Sequence, residues 1–178
     1  MPTANTYHPT PIMDYQSILD KYYPQDDALR RLLLKHSRQV ADRALLICER
    51  HKELPVDLQF LEEAAMLHDI GVFRCDAPSI YCYGTEPYIR HGIIGGEILR
   101  EEGFPRHARV CERHTGTGLP GYEPETLEEQ IICYADKFYS KSNPDRVRTV
   151  LETAQSLEKF GHEGVVKFLE WEKRFGEG

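Results

Sequence analysis

No stretch of this 178-residue chain is apolar for long enough to cross a bilayer as a helix, which argues against a membrane-spanning segment. Cysteines number five and none are spaced Cys-x-x-Cys, so neither a zinc ribbon nor a disulfide framework is indicated, and buried reduced thiols are expected. Positive charge is in deficit. Lys and Arg total 22 against 29 Asp and Glu, a net charge of -7, which weighs against loose binding to nucleic acid or to an anionic membrane. An anionic small-molecule substrate would need a local positive centre. The opening residues, MPTANTYHPTPIMDY, lack the basic start and continuous apolar run of an export signal, so a cytoplasmic location is expected. Alternating strand patterns, internal repeats and low-complexity tracts are also missing.

What is present is helical spacing nearly everywhere. The length fits one domain, taken as residues 1–178, with a core over about 26–142 and two C-terminal helices within 146–175. The expected fold class is all-α, a helical bundle. A short helix near residues 12–22 leads to Pro24, and Asp26 or Asp27 can cap a long helix with the stripe Leu29, Leu32, Leu33, Val40, Ala44 and Ile47. A further helix over about 57–67 is expected to stop at Gly71 through a left-handed turn. Residues 72–90, with two prolines and three tyrosines, read as a loop that could line a pocket. Helices at about 91–102, 105–114 and 126–140 follow, then the tail, broken near Gly161 to Gly164.

The stretch AAMLHDIGVF carries an apolar helix straight into a histidine and an aspartate, where an unpartnered carboxylate would cost several kcal/mol. The oddity recurs. His36 follows Leu32 and Leu33, His91 precedes Ile94, His114 follows Val110 and Cys111, and Asp136 follows Ile132 and Cys133, each at the spacing of a core side chain. One inward histidine is usually a satisfied core residue, but four His and two Asp on five different helices need a common positive partner. A buried metal centre is that partner. Nitrogen and carboxylate oxygen without thiolate suit Fe or Mn, with Co, Ni or Zn also compatible, and six ligands suggest two ions. His8, His51, His107 and His162 lie in polar or loop surroundings and receive no role.

In chain order His36, His68-Asp69, His91, His114 and Asp136, with YIRHGIIGGEIL, ERHTGTGLPG and IICYADKF around the later ones, this set resembles the HD superfamily of metal-dependent phosphohydrolases. Residues 68–71 read HDIG, the signature of its HDIG subgroup, and the likeness covers roughly Leu33 to Ser142. The resemblance implies a helical bundle with one or two metals that cleaves phosphate esters of nucleotides. It implies that His36, His68, Asp69 and Asp136 hold a first metal, and His91 and His114 a second, with Asp69 bridging. Val72 stands where many HDIG proteins have lysine, so a role for that position does not transfer.

Two ions together would lower the pKa of a water and neutralise charge developing on phosphate. Asp69 is the expected catalytic residue, and Lys137 and Arg146 the candidates to hold phosphate. Tyr81, Tyr83 and Tyr88 could stack on a base. The expected function is hydrolysis of a nucleotide or similar small phosphoester, with no nucleic-acid or membrane partner. The alternatives are a mixed-valent di-iron oxygenase, a chemistry also found in this superfamily, and a catalytically silent metal-containing regulatory module.

Overall fold

The structure, a computed structural model, describes residues 11–116 and 119–177. His8 therefore lies outside the described residues. Among those residues the fold is all-α in character, with eight α-helices: α1 (Tyr15–Tyr22), α2 (Ala28–Arg50), α3 (Leu58–Leu67), α4 (His91–Glu101), α5 (Pro105–Arg113), α6 (Leu127–Asp136), α7 (Val150–Leu157) and α8 (His162–Phe175). No helix among the described residues is long and apolar enough to cross a membrane.

Start signals are local. Asp14, Asp27, Asp57, Thr126 and Thr149 each accept an N–H from the first turn of the helix that follows, and Thr126 with Glu129 completes a reciprocal capping box. Such caps contribute about 1 kcal/mol each. The inward stripes of α2, α3, α4, α5 and α6 meet in one core built around Leu33, Val40, Leu61, Leu67, Ile98 and Ile132. The last helix joins it through Phe168, Trp171 and Phe175, of which Phe168 packs on Tyr134 and Phe138 and Phe175 on Tyr134. Of the five cysteines, all free, Cys75, Cys82, Cys111 and Cys133 are buried.

Two short antiparallel ribbons correct the strand-free reading. Within residues 72–90, β1 (Asp76–Ala77) pairs with β2 (Cys82–Tyr83), flanked by single 3₁₀ turns. After α6, β3 (Tyr139–Ser140) pairs with β4 (Asn143–Val147). A two-residue strand is too short to show alternation, and β4 reads NPDRV, with a proline and no apolar face. The helix expected over 126–140 consequently ends at Asp136, and Arg146 lies on a strand rather than in a helix.

Gly71 departs from its expected role as well. Its backbone is right-handed (φ -81°), and α3 has already ended at Leu67. What excludes a side chain there is proximity: a Cβ would lie 2.3 Å from the His91 carbonyl oxygen and 2.5 Å from the Gly95 nitrogen. Gly92 faces the Cys111 carbonyl in the same way, at 2.4 Å. These contacts let α4 lie against both the turn after α3 and the end of α5.

Candidate metal centre

Helix ends position most of the polar cluster. His68 caps the C-terminus of α3 with Asp69 next to it, His91 opens α4 directly after the 3₁₀ turn Tyr88–Arg90, His114 caps α5, and Asp136 is the last residue of α6. His36 alone sits in mid-helix. Carbonyls in the last turn of an α-helix lack the usual intrahelical partner, and His68 and His114 use two of them, while His91 uses one on the 3₁₀ turn before α4. The Nδ1 of His68, His91 and His114 each faces the carbonyl three residues back, of Ala65 (2.6 Å), Tyr88 (2.5 Å) and Cys111 (2.7 Å). With Nδ1–H donated there, the Nε2 of each ring points inward as the free donor atom. Fixing the tautomer through an outer carbonyl is the usual support of a metal-bound histidine.

These inward atoms converge on Asp69, which is fully buried. Its Oδ2 lies 3.2 Å from Nε2 of both His36 and His68, and its Oδ1 lies 3.2 Å from Nε2 of both His91 and His114. Asp136 Oδ1 closes the first group, 2.8 Å from His36 and 3.3 Å from His68. The donor atoms thus fall into two sets, His36, His68, Asp69 and Asp136, and Asp69, His91 and His114, each within a span of 4.8 Å. Asp69 belongs to both.

The arrangement carries an electrostatic problem that a cation solves. His91 and His114 approach Nε2 to Nε2 at 2.9 Å, and Asp69 Oδ1, although buried, has no hydrogen-bond partner. Two ring lone pairs cannot face one another across that gap without a proton or a metal between them. The residues present therefore fit divalent ions, with one carboxylate oxygen turned toward each histidine pair.

On the Oδ2 side of Asp69, an imidazole and a lysine carry positive charge. Burial opposes charge on His68, but the Asp69 and Asp136 carboxylates outweigh it and raise the imidazole from 6.5 to about 10. His114, for which burial dominates, falls to about 4. Burial would raise Asp69, yet Lys141 first and then His68 hold it well below the usual carboxylate range. Lys141 reaches from the turn between β3 and β4 to place Nζ 2.7 Å from Asp69 Oδ2.

A pH dependence follows for the chelator-treated protein. The His68 contribution is fully present below 6.5 and is lost as pH rises toward about 10; that of His114 is present above 6.5 and is lost as pH falls toward about 4. Thermal melts in chelator should therefore give a higher Tm at pH 7 than at pH 5 or 9.5. His68→Gln should flatten the alkaline limb, and an unchanged limb in that variant would contradict the assignment.

The cluster forms one end of a cavity of about 560 Å³ whose wall includes His91, His114, Asp136, Lys137, Tyr88 and Lys141. Lys137 is buried and donates to the Thr115 carbonyl and to Cys133 Sγ, both at 3.3 Å. Arg146 does not line this cavity; it is ion-paired with Glu152 on the surface. Of the three tyrosines, Tyr88 lines the cavity and stacks on His91 at 4.4 Å, whereas Tyr81 and Tyr83 are exposed outside it. His107 is not in polar surroundings as expected: it is buried between Phe60 and Phe104 and paired with Glu63 at 3.1 Å.

Lys141 is the residue that sequence reasoning missed. Five positions beyond Asp136, it would lie on another face of a continuing helix, and only the hairpin brings it back. Arg148 and Lys159, also on the cavity wall, come from segments without helical register to it.

A helical bundle with these His and Asp groups at its helix ends defines a class, and residues 33–140 match the HD domain family, to which the chain belongs. Among curated proteins it is similar to two described as tRNA (cytidine(56)-2'-O)-methyltransferases. That of Thermoplasma volcanium is 27% identical over 79% of this chain and 41% of its own length, and that of Picrophilus torridus 29% identical over 68% and 38%. An uncharacterised protein of Methanocaldococcus jannaschii is 33% identical over 58% of this chain and 64% of its own. The chain thus spans about two fifths of each methyltransferase, leaving most of those proteins unmatched.

Proposed function

We propose that the protein is a metal-dependent phosphohydrolase acting on a nucleotide or similar small phosphoester. The observation that carries this reading is Asp69, buried behind the His91, His114 and Asp136 side chains that line one end of a cation-rich cavity, with each oxygen turned to a different pair of imidazoles. His36, His68, Asp69 and Asp136 would hold one divalent ion, and Asp69, His91 and His114 a second, with Fe or Mn favoured by the donor set. When bound, such ions supply Lewis acidity and a water acidic enough to attack at neutral pH.

The chain's own residues do the rest. Asp69 ties the two ligand sets into one reacting centre. Asp136, whose side chain is 19% exposed, presents the first set to the cavity. Lys137 and Lys141 bring positive charge beside His114 and Asp69, where charge develops on phosphate oxygens. The volume, about 560 Å³, is in the range that encloses a small ligand. The net charge of -7 weighs against a tRNA-sized polyanion, so the names of the two methyltransferases are not carried over as a substrate.

Two measurements test the reading. Mn²⁺ or Fe²⁺ at a hundredfold excess over its Kd should stabilise the fold by about 2.7 kcal/mol, a rise of roughly 5–11 °C in Tm at this chain length. Phosphate or nucleotide release should then be assayed across mononucleotides, dinucleoside polyphosphates and cyclic dinucleotides. Turnover of one class with metal supplied, and none in chelator, is expected. Metal binding with no release but with oxygen uptake on diol substrates would overturn the proposal in favour of oxygenase chemistry.

A further inference from the structure

The family match ends at residue 140, but the cavity does not. Lys141, Arg148, Ser156, Lys159 and Phe160 all contribute to its wall. Acidic residues outnumber basic ones in the chain, yet Asp136 is the one carboxylate lining this cavity among the described residues, against four cations, Lys137, Lys141, Arg148 and Lys159.

These cations divide into two pairs. Lys141 is engaged by Asp69, and Lys137 sits beside the ligand candidates His114 and Asp136. Arg148 and Lys159 come from the chain that follows. Among the described residues neither has a carboxylate within ion-pairing distance, although Arg146, two positions before Arg148, pairs with Glu152. Arg148 is half-buried and held in place: its backbone N–H donates to the Phe138 carbonyl at 2.9 Å, and its guanidinium to the Lys137 carbonyl at 3.2 Å. Lys159 stands on the 3₁₀ turn Glu158–Phe160, its Nζ 4.9 Å from the Phe160 ring centroid. A half-buried guanidinium satisfied only by a neutral carbonyl retains donors for an anion.

Resting on the phosphohydrolase reading, we propose that Arg148 and Lys159 form a second anion subsite, which selects phosphoesters bearing a further phosphate over monophosphates. The C-terminal segment is then the specificity wall of the cavity, and the HD helices its reactive end.

The test begins without metal, so that it does not depend on catalysis. Chelator-treated protein is titrated calorimetrically with inorganic phosphate and with pyrophosphate at constant ionic strength. The wild type should prefer pyrophosphate by about tenfold or more, the scale of one charge-assisted contact. Arg148→Gln combined with Lys159→Gln should reduce that ratio below about threefold. Lys52→Gln, an exposed lysine away from the cavity, serves as the charge control and should keep the preference. With Mn²⁺ supplied, the double variant should raise KM for a nucleoside 3',5'-bisphosphate at least tenfold more than for the 5'-monophosphate, with the effect in KM rather than kcat. An undiminished pyrophosphate preference in the double variant, or an equal loss in Lys52→Gln, overturns the subsite. Absence of turnover on every phosphoester would instead sink the hydrolase reading, while the metal-free titration would still decide the subsite.

Discussion

Under the proposed phosphohydrolase function, Asp69→Asn is expected to lose bound metal and to cut hydrolysis by at least about 10²–10³-fold, the loss met when a single charge-stabilising group is removed from an active site. The side chain keeps its shape, so the effect isolates charge. An amide offers one weak carbonyl donor, and its NH₂ would face imidazole nitrogens that now lie 3.2 Å from a carboxylate oxygen. Metal content by emission spectroscopy separates loss of metal from loss of chemistry. The same substitution makes a second prediction in chelator, because it leaves the half-buried Lys141 ammonium, now 2.7 Å from the fully buried Asp69 Oδ2, beside a neutral group. Breaking one half of a buried ion pair costs roughly 3–5 kcal/mol, and replacing both halves with uncharged groups costs much less. Asp69→Asn with Lys141→Met should therefore be more stable, metal-free, than Asp69→Asn alone. Additive losses in that double-mutant cycle would show that the two side chains do not interact. Retention of full activity and metal by Asp69→Asn would end the assignment of Asp69 as the shared ligand.

The cluster was legible because its members break a rule that the rest of the chain obeys. Leu32, Leu33 and Val40 establish the buried stripe of α2, and His36 lies on it; Ile132 and Cys133 do the same for Asp136. Spacing places such residues on a face but says nothing of which elements come together. It also could not show that His68, His91 and His114 share one device, an imidazole bonded to the carbonyl three residues back, because that depends on where each helical turn stops. Lys141, Arg148 and Lys159 left no trace for a different reason. Their positions follow from a hairpin and a 3₁₀ turn whose short segments carry no period, so helical spacing points to Lys137 and Arg146 instead. Arg146 went to a surface pair with Glu152. The all-α class needed only the abundance of helical spacing, whereas strands of two residues fall below the length at which alternation can be seen.

Gly71 was legible as a special position and misread as to why, and the difference can be measured. A glycine kept for a left-handed backbone is replaced at modest cost by asparagine and at greater cost by alanine. Gly71 has φ -81°, a conformation alanine adopts freely, and on backbone grounds alone Gly71→Ala would be neutral or slightly stabilising. The packing argues the reverse. An added Cβ would lie 2.3 Å from the His91 carbonyl oxygen and 2.5 Å from the Gly95 nitrogen, and both are backbone atoms that cannot rotate away. Relief requires α4 to withdraw from the turn carrying His68 and Asp69, and His91, the first residue of α4, withdraws with it. Overpacking of this kind costs about 1–3 kcal/mol or more, a fall of roughly 2–12 °C in Tm for a chain of this length. Gly71→Asn should be at least as destabilised as Gly71→Ala, the opposite of the order that a left-handed turn would give. Because the displaced residue belongs to the second ligand set, both variants should lose metal from His91 and His114 before losing it from His36, His68 and Asp136. Stepwise metal titration followed by Tm would resolve the two sites, and an asparagine variant more stable than the alanine one would restore the conformational explanation.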